Sequence, residues 1–149
     1  LDARAYRAFN LFVADNRDAY WLKGLGREGP AAVELFELPP GLSMMTAYDR
    51  NDTSSARIGA YLPRFERAAA PEPENDDWAA WQALLASREV EADGDESGAM
   101  TIVTERGFGT VSSSLIALPA PEAERKRPIW LYAAGRPDQM RYERVALAD

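Results

Sequence analysis

The chain has 149 residues, which fits one domain and is long enough to bury roughly 70% of its unfolded surface. Hydrophobic residues make up 46% and charged residues 28%, a globular balance that argues against bulk disorder, and no apolar run approaches the ~18 residues of a membrane-spanning helix. With 17 basic against 24 acidic residues, a net charge of -7, the chain lacks the positive balance with which nucleic-acid binders neutralise phosphate, so nucleic acid is not an expected partner.

Cysteine and histidine are both absent. The first absence excludes disulfides, a thiolate nucleophile and zinc–thiolate sites. The second removes the usual general base near neutral pH and the commonest metal ligand, so a Ser-His-Asp relay cannot be assembled from this chain. Hydrolysis would need carboxylates, an amine or a group from elsewhere, and neither a metal nor another cofactor is expected. Zero cysteine and no visible secretion signal fit a cytoplasmic origin. A chain that opens on Leu1 is expected to be a fragment, a processed product or an excised piece.

The predicted elements begin with a strand over Phe9 to Ala14, the turn formers Asp15-Asn16-Arg17-Asp18, and a returning strand over Ala19 to Lys23. Gly24, Gly26, Gly29 and Pro30 punctuate the next turn. A third strand covers Ala32 to Leu38, closed by Pro39-Pro40-Gly41, and the three form an antiparallel meander. Leu42 to Tyr48 reads as a fourth extended piece. The polar stretch Asp49 to Ser55 supplies N-cap candidates for a helix over residues 55–67, with Ile58, Tyr61, Leu62 and Phe65 on one face. Pro63 is expected to kink that helix or delay its start.

After an Ala/Pro/acidic connector, Asn75-Asp76-Asp77 predicts a second helix over residues 77–87, with Trp78, Trp81, Leu84 and Leu85 as its apolar stripe. The acidic stretch Glu89 to Gly98 reads as a surface loop. Strands are predicted over Met100 to Thr104 and Val111 to Leu118, then a hairpin of Ile129 to Ala133 with Met140 to Leu147. Segregated blocks of this kind predict an α+β class, antiparallel sheets with two helices covering one sheet face, not alternating βαβ units.

Several local patterns carry more than one reading. In Gly107-Phe108-Gly109-Thr110-Val111-Ser112-Ser113-Ser114, two glycines permit close backbone approach and hydroxyls line both sides of a strand. This is either the floor of a pocket for a polar ligand or a turn and strand whose serines bond backbone. Asp49, Asn51 and Asp52 could hold a divalent cation, but the stretch lacks the Gly and terminal Glu of a calcium loop, and helix capping accounts for it. Trp78 and Trp81 fit core packing. Arg125-Lys126-Arg127, beside Glu122 and Glu124, reads as a solvated loop. Gly24 to Gly29 matches G-x-G-x-x-G by letter, but Pro30 and a strand follow where a dinucleotide site needs a helix.

Taken together, several stretches resemble the C-terminal portion of the NRDE family, the transport-and-Golgi-organisation type. Tyr6 to Asp15 is similar to the family's Y-x-x-F-N-L strand. Leu38-Pro39-Pro40-Gly41 is followed by Thr46-Ala47 where the family has Ser-Asn, and Asp52, Arg57 and Ile58 fall where it carries an Asp and a Lys-Val pair. Gly107 to Ser114 stands against Y-G-T-R-S-S-T, and Tyr142-Glu143-Arg144 against a closing aromatic strand. Val111 replaces the family's Arg, Ala47 its Asn, and the N-terminal strands with their Cys are missing.

The resemblance implies an N-terminal-nucleophile hydrolase-like αββα sandwich, of which these 149 residues are a single domain or the C-terminal part of a larger one. It implies an amide or ester hydrolase whose Cys nucleophile lies in the missing N-terminal segment of the same protein, an expected partner of this chain. Thr46, Arg57, Thr110, Ser112 and Ser113 would then contact a small-molecule substrate or ligand, with Arg57 facing an anion and Thr46 and Thr110 bordering one site. No catalytic residue falls within the chain. The alternatives are a non-catalytic carrier of haem or a lipid-like molecule on the same fold, whose axial ligands here would have to be Met or Tyr, and a self-contained interaction domain.

Overall fold

The computed structural model describes residues 2, 5–28, 32–91, 94–123 and 126–147. It is an α+β structure with two three-stranded antiparallel sheets and two α-helices. In the first sheet β1 (Phe9–Ala14), β2 (Ala19–Gly24) and β3 (Glu34–Glu37) stand in sequence order. Asp15 builds the β1–β2 turn: its carboxylate accepts the N–H groups of Arg17 and Asp18 at 2.7 and 2.9 Å. Cross-strand partners share a face. Phe12, Trp21 and Phe36 lie in one row, and Leu11, Leu22 and Leu35 lie in a row on the opposite face.

The Trp21 face is covered in part, around Asn10, Trp21 and Lys23, and Asn10 is the reason; Phe12 and Phe36 on that face stay exposed. Its side-chain amide donates to the carbonyls of Thr46 and Tyr48 at 2.9 and 3.0 Å, while its carbonyl accepts from the Trp21 indole N–H at 3.0 Å. Lys23, on the same face, pairs with Asp49 at 2.6 Å. The segment after Pro40 is thereby held across the sheet, and Trp21, stacked on Phe36 with centroids 4.8 Å apart, is buried. The opposite face stays open: Leu11, Val13 and Leu35 are each about half exposed or more.

Helix α1 (Ala56–Arg67) follows. Its apolar spacing buries Ile58 and Tyr61 completely, and the Tyr61 hydroxyl donates to the Glu89 carbonyl and accepts from the Ser87 hydroxyl, both at 2.8 Å. Helix α2 (Ala79–Ala86) crosses α1 through Phe65 and Trp81, which meet edge to face at 5.2 Å. The second sheet, β4 (Ser113–Ala117), β5 (Ile129–Ala133) and β6 (Glu143–Arg144), packs its Leu115 and Leu131 row against Trp78. Trp81, Leu85, Ala117, Ile129 and Tyr142 enclose that cluster. The other face of this sheet, with Ile116 and Tyr132, is exposed.

Several expectations need correction. Residues 42–48 contain no strand; their backbone is bent to meet Asn10 and Asn51. Residues 100–104 contribute one bridge, Val103 to Gly109, because the chain turns back at Gly107 before a ladder can extend. The final strand shrinks to Glu143–Arg144, so the second block has three strands, not four. Only α2 enters the core of the second sheet; α1 packs on α2 and on the turn at 96–98. α1 begins at Ala56 with Pro63 inside it, so its start is not delayed, and Ser55 at its N-cap position makes no side-chain cap; its hydroxyl accepts from Thr46 Oγ1.

Replacing Asn10 with Ala leaves the Trp21 N–H and two carbonyls without their partner. We expect a loss of about 2–3 kcal/mol, read as a lower urea midpoint at unchanged m-value. An unchanged midpoint would show that water replaces the amide at no cost.

Candidate functional site

The five residues singled out by sequence form two groups. The first surrounds the start of α1. Thr46 Oγ1 donates to Ser55 Oγ at 3.3 Å and accepts the Tyr48 N–H at 3.2 Å. Arg57, two residues into the helix, is half-buried and donates from Nη2 to the Ser97 carbonyl at 2.7 Å. Its Nε is buried without a hydrogen-bond partner, and no carboxylate pairs with it among the described residues. Burial holds this guanidinium below its ordinary pKa, with the neighbouring Tyr61 opposing the shift. A cation so placed has unspent capacity for an anion.

The second group follows from a tight turn. Gly107 adopts a φ of +79°, and a Cβ on Gly109 would lie 2.7 Å from the Ile102 carbonyl oxygen. The two glycines thus serve different needs, a left-handed turn and a close strand approach. Thr110 is fixed against Ile102, donating its backbone N–H to the Ile102 carbonyl and accepting the Ile102 N–H on Oγ1, both at 2.9 Å. Ser113 accepts the Tyr142 hydroxyl at 2.6 Å on the α2 side of the sheet. Ser114, on the opposite side, accepts the Trp130 indole N–H at 3.2 Å. Ser112 is half-buried, and no hydroxyl hydrogen bond engages it among the described residues. Val111 is 81% exposed.

No hydrogen bond among the described residues joins Thr46 or Arg57 to Thr110, Ser112 or Ser113. Among the described residues, clefts of about 440 to 520 Å³ open on the surface, and none of those five is lined by any of these residues. Segment 97–102 lies between the two groups in the hydrogen-bond pattern: Arg57 donates to Ser97, Thr101 is buried with its hydroxyl on the Leu85 carbonyl at 2.8 Å, and Ile102 bonds Thr110.

The cation reading of residues 49–52 is not needed. Asp49 pairs with Lys23, Asn51 ties Met44 and Leu42, and Asp52 accepts the Ser54 N–H and hydroxyl. Among the described residues no cluster of three metal-ligating side chains occurs. Sequence reasoning missed Asn10 and Tyr142 as organisers. The available signal for Asn10 was an amide inside an otherwise apolar strand, against β-propensity.

Burial raises the Tyr142 hydroxyl above its ordinary 10.0, opposed by its hydrogen bond to Ser113. A raised folded-state value stabilises fully below the unfolded pKa, and the stability is lost as pH rises through the folded value. Wild type should therefore exceed Tyr142→Phe by about 1 kcal/mol at pH 7, and the gap should narrow above pH 10.0. Denaturant titrations at pH 7 and about pH 10.5 check this; a constant gap would place the hydroxyl outside the alkaline loss.

No protein-family model, no curated protein and no solved structure matches the chain.

Proposed function

We propose that the chain is the C-terminal portion of an NRDE-type protein with an N-terminal-nucleophile hydrolase-like αββα sandwich. The complete protein would hydrolyse an amide or ester with a Cys carried outside these 149 residues. One observation supports this above the others: the chain's own loop covers the Trp21 part of one face of the first sheet, α2 covers one face of the second, and each sheet leaves apolar side chains open on its other face. The open faces present Leu11, Val13 and Leu35 on the first sheet and Ile116 and Tyr132 on the second. A four-layer sandwich needs two such sheets, with covering layers outside and apolar faces within.

On this reading the chain positions substrate and does not attack it. Thr46, Thr110 and Ser113 spend their hydroxyls largely on the fold, which leaves Ser112 as the hydroxyl best able to reach a substrate and Arg57 as the anion contact. The exposed Val111 favours a second reading, a carrier of an apolar ligand on the same fold.

The isolated chain should give no turnover on generic ester or amide substrates. The native protein, extended upstream to its Cys, should hydrolyse one of them and lose that activity on Cys→Ser exchange. Ser112→Ala should then raise KM several-fold with kcat little changed. Turnover by the isolated chain that vanishes in Ser112→Ala, or native protein with no residues upstream of Leu1, overturns the proposal. Tight binding of an apolar ligand without hydrolysis selects the carrier.

A further inference from the structure

Strand β1 is an edge: it pairs with β2, and the sheet order places nothing on its other side among the described residues. The ladder phase says which groups that edge offers. Asp15 N–H bonds the Asp18 carbonyl, so in the register Ala14–Ala19, Val13–Tyr20 and onward, odd residues of β1 turn their N–H and C=O toward β2. Asn10, Phe12 and Ala14 turn theirs outward. No backbone hydrogen bond from these three to a segment other than β2 occurs among the described residues.

Natural edges are blunted by lysine, proline, bulges or short length. β1 has none of these: it is six residues long, reads FNLFVA, and exposes Leu11, Phe12 and Val13 by about half. The nearest charges are Arg7 and Asp15, four residues on either side of Leu11. The backbone of Arg7 and Ala8, just ahead of β1, lies against Gly26. The segment is therefore self-complementary about Leu11, apolar in the middle with opposite charges at its two ends.

We propose that β1 pairs antiparallel with β1 of a second copy of this chain, with Leu11 on the two-fold axis. In this register the outward groups of Asn10 face those of Phe12 of the second copy, as the ladder phase requires. Leu11 meets Leu11, Phe9 meets Val13, and Arg7 meets Asp15, all on one face. Asp15 is held ionised by the Asp18 and Arg17 N–H groups and remains exposed. No charged residue lies between positions 8 and 14, so no like charges oppose within the strand despite the net charge of -7 on each copy. The result is a continuous six-stranded sheet with its apolar face doubled. An interface of one strand pair is small, so the dimer should be weak and concentration-dependent. The proposal concerns an edge, not the sheet faces.

The absence of cysteine gives a clean test. Leu11 pairs with itself at a position without ladder hydrogen bonds, where Cα atoms lie roughly 4.5 Å apart, within disulfide reach. Leu11→Cys should form a covalent dimer under mild oxidation, and Phe12→Cys, whose partner is Asn10 and not itself, should not. Sedimentation equilibrium should show a monomer–dimer equilibrium in the wild type. Arg7→Glu should weaken it about tenfold by facing Asp15 with a like charge at both ends, and Arg7→Lys should restore it. Circular dichroism checks that each variant keeps its fold. A wild type that stays monomeric to several hundred micromolar overturns the proposal. So does a dimer indifferent to Arg7→Glu, or equal cross-linking at positions 11 and 12.

Discussion

One side-chain amide organises the first half of this molecule. Asn10 is the polar residue of an otherwise apolar strand, and its donor and acceptor atoms are used at once, on the carbonyls of Thr46 and Tyr48 and on the Trp21 indole. Those bonds decide which face of the sheet is covered. They fold the segment after Pro40 over Trp21, lead the chain to Ser55 and so set where α1 begins. A half-buried polar group is stable in such a place when its partners are complete, since each missing bond costs more than a made one returns. Asp could not substitute: it has no donor for the two carbonyls.

The second half depends on aromatic residues. Trp78 anchors the core beneath Leu115 and Leu131, Trp81 meets Phe65 of α1, and Tyr61 reaches from α1 to Ser87 and Glu89. The indole N–H groups of Trp78 and Trp81 are buried without acceptors, so these rings contribute area and shape, not polar specificity. Specificity comes from smaller groups around them, the Tyr142–Ser113 hydroxyl pair and the Thr101 hydroxyl on α2.

What was legible in the sequence follows from how local each signal is. α1, the β1–β2 hairpin and α2 are written in periodicity and turn residues, and the observed bounds fall within about two residues of the expected ones. Residues 42–48 and 100–104 misled because extended composition does not ensure a ladder. The first is drawn aside by Asn10 and Asn51, and the second is cut short at Gly107, both decided by tertiary contacts. The site was less legible still. Hydroxyl letters in the 110–114 tract cannot reveal that Thr110 would bind Ile102, or that Ser113 would bind Tyr142. Only the structure separates these committed hydroxyls from Ser112.

The same accounting bears on what kind of chemistry the molecule can support. An attacking group must be activated by a base or by a depressed pKa, and this chain has neither thiol nor imidazole to offer. Its depressed carboxylates, Asp15, Asp52, Asp95 and Asp138, are lowered by backbone N–H groups, by hydroxyls or by Arg136. Such carboxylates are poor bases, because the hydrogen bonds that lower them also stabilise the ionised form. The half-buried Arg57 differs in kind: burial makes its charge costly, and among the described residues neither a carboxylate nor a full set of acceptors offsets it.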